Sequence, residues 1–73
     1  MADGLKRFGA NVREARAGRG WTQEDLAGRT DLSPVQISRI ERGVREVRLS
    51  TLVKLTSGLG VDANTLLAGV ELN

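Results

Sequence analysis

Apolar residues recur along this chain at helical intervals, in short blocks divided by turn-forming residues. Leu5, Phe8, Val12, Ala15 and Arg16 share one face, which predicts a first helix from about Leu5 to Gly18, stopped by Gly18 and Gly20. The run "WTQEDLA" opens a second helix. Thr22 is its N-cap, Asp25 at the third helical position makes an approximate capping box, and Trp21 before the cap can pack on Leu26 as a hydrophobic staple. This helix ends near Thr30. One short turn later Ser33 caps a third helix. Pro34 takes its first position, where a missing N–H costs nothing, and Gln36 completes a second capping box. Leu32 can staple Ile37, and Gly43 stops the helix with Arg39 and Arg42 in its last turns, where the helix dipole favours cations. A fourth helix is predicted from Ser50, with Leu52, Leu55, Thr56 and Leu59 facing inward, until "GLGV" breaks it. A fifth, of about two turns, starts at Asp62, with Val61 stapled to Leu66. The pattern predicts an all-α fold of five short helices, with no strand, repeat or low-complexity linker.

Length narrows the picture. Seventy-three residues make one domain at most, and a chain this short buries only about 60% of its unfolded surface. With neither Cys nor His, disulfides and the usual structural zinc sites are excluded, so help from a second chain is expected. No apolar run approaches the roughly 20 residues that span a membrane, and "MADGLKRFG" lacks the apolar core of a signal peptide. The expectation is a cytoplasmic protein in which residues 1–73 form one domain and the whole protein, without room for a separate ligand-sensing unit.

Charge changes the picture more than its total suggests. The net value is +2, but residues 1–48 hold ten bases against seven acids, while residues 49–73 hold Lys54 against Asp62 and Glu71. Arginine recurs at positions 39, 42, 45 and 48. A polyanion partner fits this asymmetry, although a basic face is more often simply solvated. The second and third helices are joined by about three residues, "TDL", the spacing of a helix-turn-helix over about residues 22–43. On a wheel of about 100° per residue, Ile37, Ile40 and Glu41 point one way, and Val35, Arg39 and Arg42 the other, flanked by Gln36 and Ser38. In a DNA major groove arginine can donate two bonds to guanine, glutamine can read adenine, and a small apolar group can meet a thymine methyl. Val35, Gln36, Ser38 and Arg39 are therefore the candidate base-reading residues. The competing reading of Val35 is a stray apolar surface residue, which is common.

The stretch "WTQEDLAGRTDLSPVQISRIERGVREVRLSTLVKLTSGLGV" resembles the Xre-type, lambda-repressor-like helix-turn-helix regulators. "TQEDLA", "LS", "IS.IE.G" and "L..L...LGV" fall in that family's order and spacing, from about Phe8 to Leu67. The "RxVxLxTL" run, Arg45 to Leu52, is similar to small stand-alone members such as phage-type repressors and restriction–modification controller proteins. The resemblance implies that Gln23 binds a phosphate at the start of the second helix, that Val35, Ser38 and Arg39 face bases or adjacent backbone, and that Arg42 and the loop after Gly43 meet the DNA backbone. Thr22, Gln23, Ser33, Arg42 and Arg45 are the backbone-contact candidates. It further implies that Arg16 and Glu41 form a structural ion pair between the first and third helices. Asp31 departs from the family, which usually has glycine in this turn; the position tends to need a left-handed backbone, which Asp tolerates at some cost. The resemblance also places a homodimer contact around the fifth helix, in a region of about residues 61–73. With Leu66 committed inward by its staple, Leu67 and Val70 are the residues left over for it.

Other residues point away from chemistry. Trp21 has only Phe8 as aromatic company, poor material for stacking on single-stranded bases. Glu24 and Asp25 sit in a helix first turn, where carboxylates are simply stabilising. With no His, Cys or Tyr, no nucleophile–base set is visible, so an enzyme, a metal site and a cofactor are all unexpected. Gly18 and Gly20 flank Arg19 without a preceding strand, so they read as a helix stop rather than a phosphate loop. The function expected is binding of double-stranded operator DNA as a homodimer to control transcription, with RNA polymerase as a further partner. A protein–protein adaptor on the same fold and an antitoxin-type regulator remain as alternatives.

Overall fold

The computed structural model describes residues 2–72. Its five helices are α1 (Ala2–Gly18), α2 (Gln23–Thr30), α3 (Pro34–Arg42), α4 (Leu49–Leu59) and α5 (Ala63–Leu67). Each boundary has a local cause. Thr22 Oγ1 accepts from the Asp25 N–H at 3.0 Å, and the Thr22 N–H donates back to Asp25 Oδ2 at 2.9 Å. Those bonds hold the Asp25 carboxyl below its ordinary range. The same reciprocal pattern links Ser33 and Gln36 at the start of α3. Asp62 caps α5 by accepting from the Thr65 N–H and hydroxyl. Between α2 and α3 the chain turns at Asp31, whose φ of 63° is left-handed, as its place in the motif requires.

The core is built where the helical stripes meet. Phe8 and Val12 of α1, Leu26 of α2, Ile37 and Ile40 of α3, Leu55 and Leu59 of α4 and Leu66 of α5 are all buried. Trp21 and Val61, the outer halves of two staples, pack against this cluster, and Leu32 lies within it. Helix α1 packs on α3 and α5, and α2 packs on α3 and α4. Gly9 lets α1 approach closely: a Cβ there would collide with the carbonyl oxygens of Ile40 and Glu41. At the end of α3, Gly43 (φ 70°) supplies the left-handed cap and lies against the Lys6 backbone. Helix α3 is thus backed by α1 along its inner side, leaving its outer side free.

Three boundaries differ from expectation. Helix α1 begins at Ala2 rather than Leu5, because its first turn lies against Glu71 and Leu72, a long-range contact that periodicity does not report. Helix α4 begins at Leu49 with Arg48 as a cap that makes no side-chain hydrogen bond, so Ser50 sits inside the first turn. Helix α5 spans five residues rather than about two turns, since Ala68 leaves helical geometry and Gly69 turns left-handed. Among the described residues no helix is long and apolar enough to cross a membrane.

Candidate nucleic-acid interface

The outer side of α3 is open. Val35 is 57% exposed, and Gln36, Arg39 and Arg42 are exposed around it, with Ser38 half-buried at the edge. Arginines at 39 and 42 stand one turn apart near the C-terminus of the helix, where the dipole favours their charge. Gln36 is less free than its position on the wheel suggests. Its Oε1 accepts from the Ser33 N–H at 2.9 Å. While that bond lasts, one of the two lone pairs of Oε1 is taken, so Gln36 meets a base most readily through its amide donors, and the two-way pairing with adenine needs Oε1 to accept a second bond.

At the starts of α2 and α3, Thr22 and Ser33 are exposed hydroxyls whose oxygens already accept cap bonds, leaving each O–H free to donate. Gln23 is half-buried, and its Nε2 donates to Glu41 Oε1 at 3.1 Å. Arg16 and Glu41 meet between α1 and α3: Arg16 Nε donates to Glu41 Oε2 at 2.7 Å and Arg16 Nη2 to Oε1 at 3.0 Å. The Glu41 side chain is 4% exposed. The hydrogen bond to Glu41 raises the Arg16 pKa against the opposing pull of burial. Arg16 Nη1 also donates to the Trp21 carbonyl at 2.7 Å, and Arg29 stacks over the Trp21 ring with its guanidinium carbon 4.1 Å from the ring centre.

Beside α3 the structure brings together residues that motif reasoning left apart. Arg39, Arg45, Arg48 and Lys54 line a groove of about 390 Å³ with Ser50 and Thr51 of the α4 N-terminus. The spacing of the arginines pointed to part of this cluster. Lys54 and the start of α4 were missed as part of it: the sequence places that helix start at Ser50, whereas in the structure the cap is Arg48, which makes no side-chain hydrogen bond. A polar groove with four cations against one carboxylate, that of Glu46, beside a helix N-terminus can hold phosphates.

A second surface is apolar. Leu67 is 42% exposed, whereas Val70 packs against the chain's own core. Both line a cavity of about 370 Å³ together with Leu49, Leu52 and Leu72. Leu49 is 76% exposed and Leu72 62%. Val70 is thus less free than expected: it lines the cavity from a half-buried position against the core, while Leu67, Leu49 and Leu72 line it exposed. Leu49 was missed because it precedes the predicted start of α4.

A family model described as helix-turn-helix matches residues 12–66. The control protein C.BamHI of Bacillus amyloliquefaciens is 43% identical over 61 residues, covering 82% of this chain and 75% of that one. An HTH-type transcriptional regulator of Mycobacterium tuberculosis is 40% identical over 57 residues, 78% of this chain; the match spans only 22% of that relative's length. Among solved structures, the restriction–modification controller protein C.AhdI of Aeromonas hydrophila superposes with a TM-score of 0.83 at 36% identity, covering 90% of this chain and 98% of that one.

Proposed function

Since this chain belongs to the Xre-type helix-turn-helix family, we propose that it binds double-stranded operator DNA as a homodimer and thereby regulates transcription. The family is one of DNA-binding regulators rather than an enzyme class. The observation that carries the reading is the outer side of α3: an exposed valine among arginines, held against α1 by a largely buried ion pair and flanked by a cationic groove. Val35, Ser38 and Arg39 read base edges, with Gln36 contributing a donor; Thr22, Gln23, Ser33, Arg42 and Arg45, joined by Arg48 and Lys54, fix register on phosphates. The unit that meets DNA is residues 22–43 with the following loop.

The dimer contact lies on the apolar cavity, with Leu67, Leu49 and Leu72 burying against a copy of themselves and Val70 beneath. A marginal domain gains stability by covering such a surface. Two recognition helices related by a twofold axis then stand about 34 Å apart, matching half-sites one DNA turn apart. Contact with RNA polymerase would convert operator occupancy into a change in transcription; C.AhdI and C.BamHI are named as a controller and a control protein.

Selection from a pool of random-sequence duplexes tests this. The expected product is a twofold-symmetric site with half-sites about 10 base pairs apart. Retardation that is weak and equal for all sequences would favour an adaptor on the same fold and overturn the proposal.

A further inference from the structure

One hydrogen bond near α3 serves neither the core nor the base-reading face: that from Gln23 Nε2 to Glu41 Oε1, at 3.1 Å. We propose that Glu41 is a positioning residue for DNA binding, fixing the polarity of the Gln23 amide so that its second N–H is presented to a phosphate; this rests on reading Gln23 as a backbone contact.

The chemistry of the two groups sets the polarity. An ionised carboxylate only accepts hydrogen bonds, so Gln23 must turn its NH2 group, and not its carbonyl, toward Glu41. One amide proton is used and one remains. A DNA phosphate also only accepts. A glutamine unconstrained at the surface presents carbonyl or amide about equally well, and the carbonyl would repel a phosphate. Holding the amide end in place before DNA arrives removes that wrong state and part of the ordering cost of the side chain. The half-buried setting of Gln23 restricts it further.

The ion pair makes this arrangement tolerable beside a polyanion. A lone carboxylate at this site would repel phosphates. Arg16 cancels its charge with two hydrogen bonds, one to each Glu41 oxygen. The pair is complete as a structural element without Gln23, so the third bond to Glu41 is an addition to it. Arg16 also bonds the carbonyl of Trp21, two residues before Gln23. The guanidinium therefore fixes both the carboxylate that orients Gln23 and the backbone that delivers it.

A double-mutant cycle separates positioning from folding. Glu41→Gln keeps the size of the side chain but lets the amide at position 41 face Gln23 with either polarity. Affinity is measured for wild type, Gln23→Ala, Glu41→Gln and the double variant on a duplex selected with the wild-type protein, at a temperature where circular dichroism shows all four folded. Gln23→Ala should weaken binding about tenfold, as expected for a hydrogen bond to a charged group. Glu41→Gln should weaken it about fivefold in the wild-type background and by less than about twofold when Gln23 is already alanine. Equal losses in both backgrounds overturn the inference and leave Glu41 a structural residue. No loss from Gln23→Ala also overturns it, by removing the contact, while sequence-specific binding by wild type keeps the DNA reading intact. Failure to select any duplex overturns that reading and this inference together. If Glu41→Gln does not fold, amide resonances of the wild-type protein decide. One Gln23 side-chain proton should be held in the free protein and the other should shift on adding the duplex; release of the first proton on binding overturns the inference.

Discussion

Asn11 on α1 donates from a single Nδ2 to two carbonyls at the end of α5, Leu66 O and Ala68 O, each at 2.8 Å. The partners are 55 and 57 positions away in the chain. A five-residue helix cannot hold itself together in water, and its last carbonyls have no partner within the helix. One amide therefore ties the short α5 to the longest helix, next to the surface that carries Leu67.

Removing that tie is the first prediction. Asn11→Ala loses both bonds and leaves the partly buried Leu66 carbonyl unpaired, which should cost about 1–2 kcal/mol in urea denaturation. A loss below about half a kcal/mol would mean that water replaces the amide without penalty.

Glu41→Ala should be more damaging. It strands the Arg16 guanidinium, 14% exposed, and removes the acceptor of three hydrogen bonds. Breaking a buried pair by deleting one partner typically costs about 3–5 kcal/mol. Chemical denaturation decides, and a change under about half a kcal/mol rejects a stabilising role for the pair.

Arg39→Ala addresses base reading. The expected result is a loss of about 1–3 kcal/mol in binding, with relaxed preference at one base pair per half-site. Uniform weakening across all duplex sequences would assign Arg39 to the phosphates.

Arg42→Ala addresses the backbone. Only neutralised phosphates release counterions, so the slope of log K against log salt should fall by about 1 unit for each phosphate that Arg42 no longer neutralises. An unchanged slope places Arg42 off the DNA.

The apolar cavity predicts self-association. Wild-type protein should be dimeric in sedimentation equilibrium at roughly 100 μM, a concentration that saturates an interface of micromolar Kd. Both Leu67→Asp and Leu49→Asp should shift it toward monomer, because each places a charge on the exposed lining of the cavity. A monomeric wild type refutes the dimer; a dimer indifferent to both substitutions lies elsewhere.

What the sequence alone determined about this protein is mostly what four or five neighbouring residues can settle. The boxes of Thr22 with Asp25 and Ser33 with Gln36 close over three positions, and the cap at Gly43 is set by one residue's backbone. Such bonds form wherever the local segment goes, so residue order suffices to read them. The outer side of α3 was legible for the same reason: helical periodicity separates Val35 and Arg39 from Ile37 and Ile40 without reference to the rest of the chain. The Arg16–Glu41 pair was legible only through the family resemblance, because nothing local joins positions 25 apart. The tertiary structure decided what depends on where distant segments land. It put Gln23 beside Glu41, Lys54 in one groove with Arg39, Asn11 against the end of α5, and the first turn of α1 against Glu71. It also packed Val70, which the sequence reading left over for the dimer contact beside Leu67, against the core, because α5 ends at Leu67 and the chain turns at Gly69. Contacts of this kind are selected by the packing of whole helices around one core, and their partners carry no mutual signal until that packing exists.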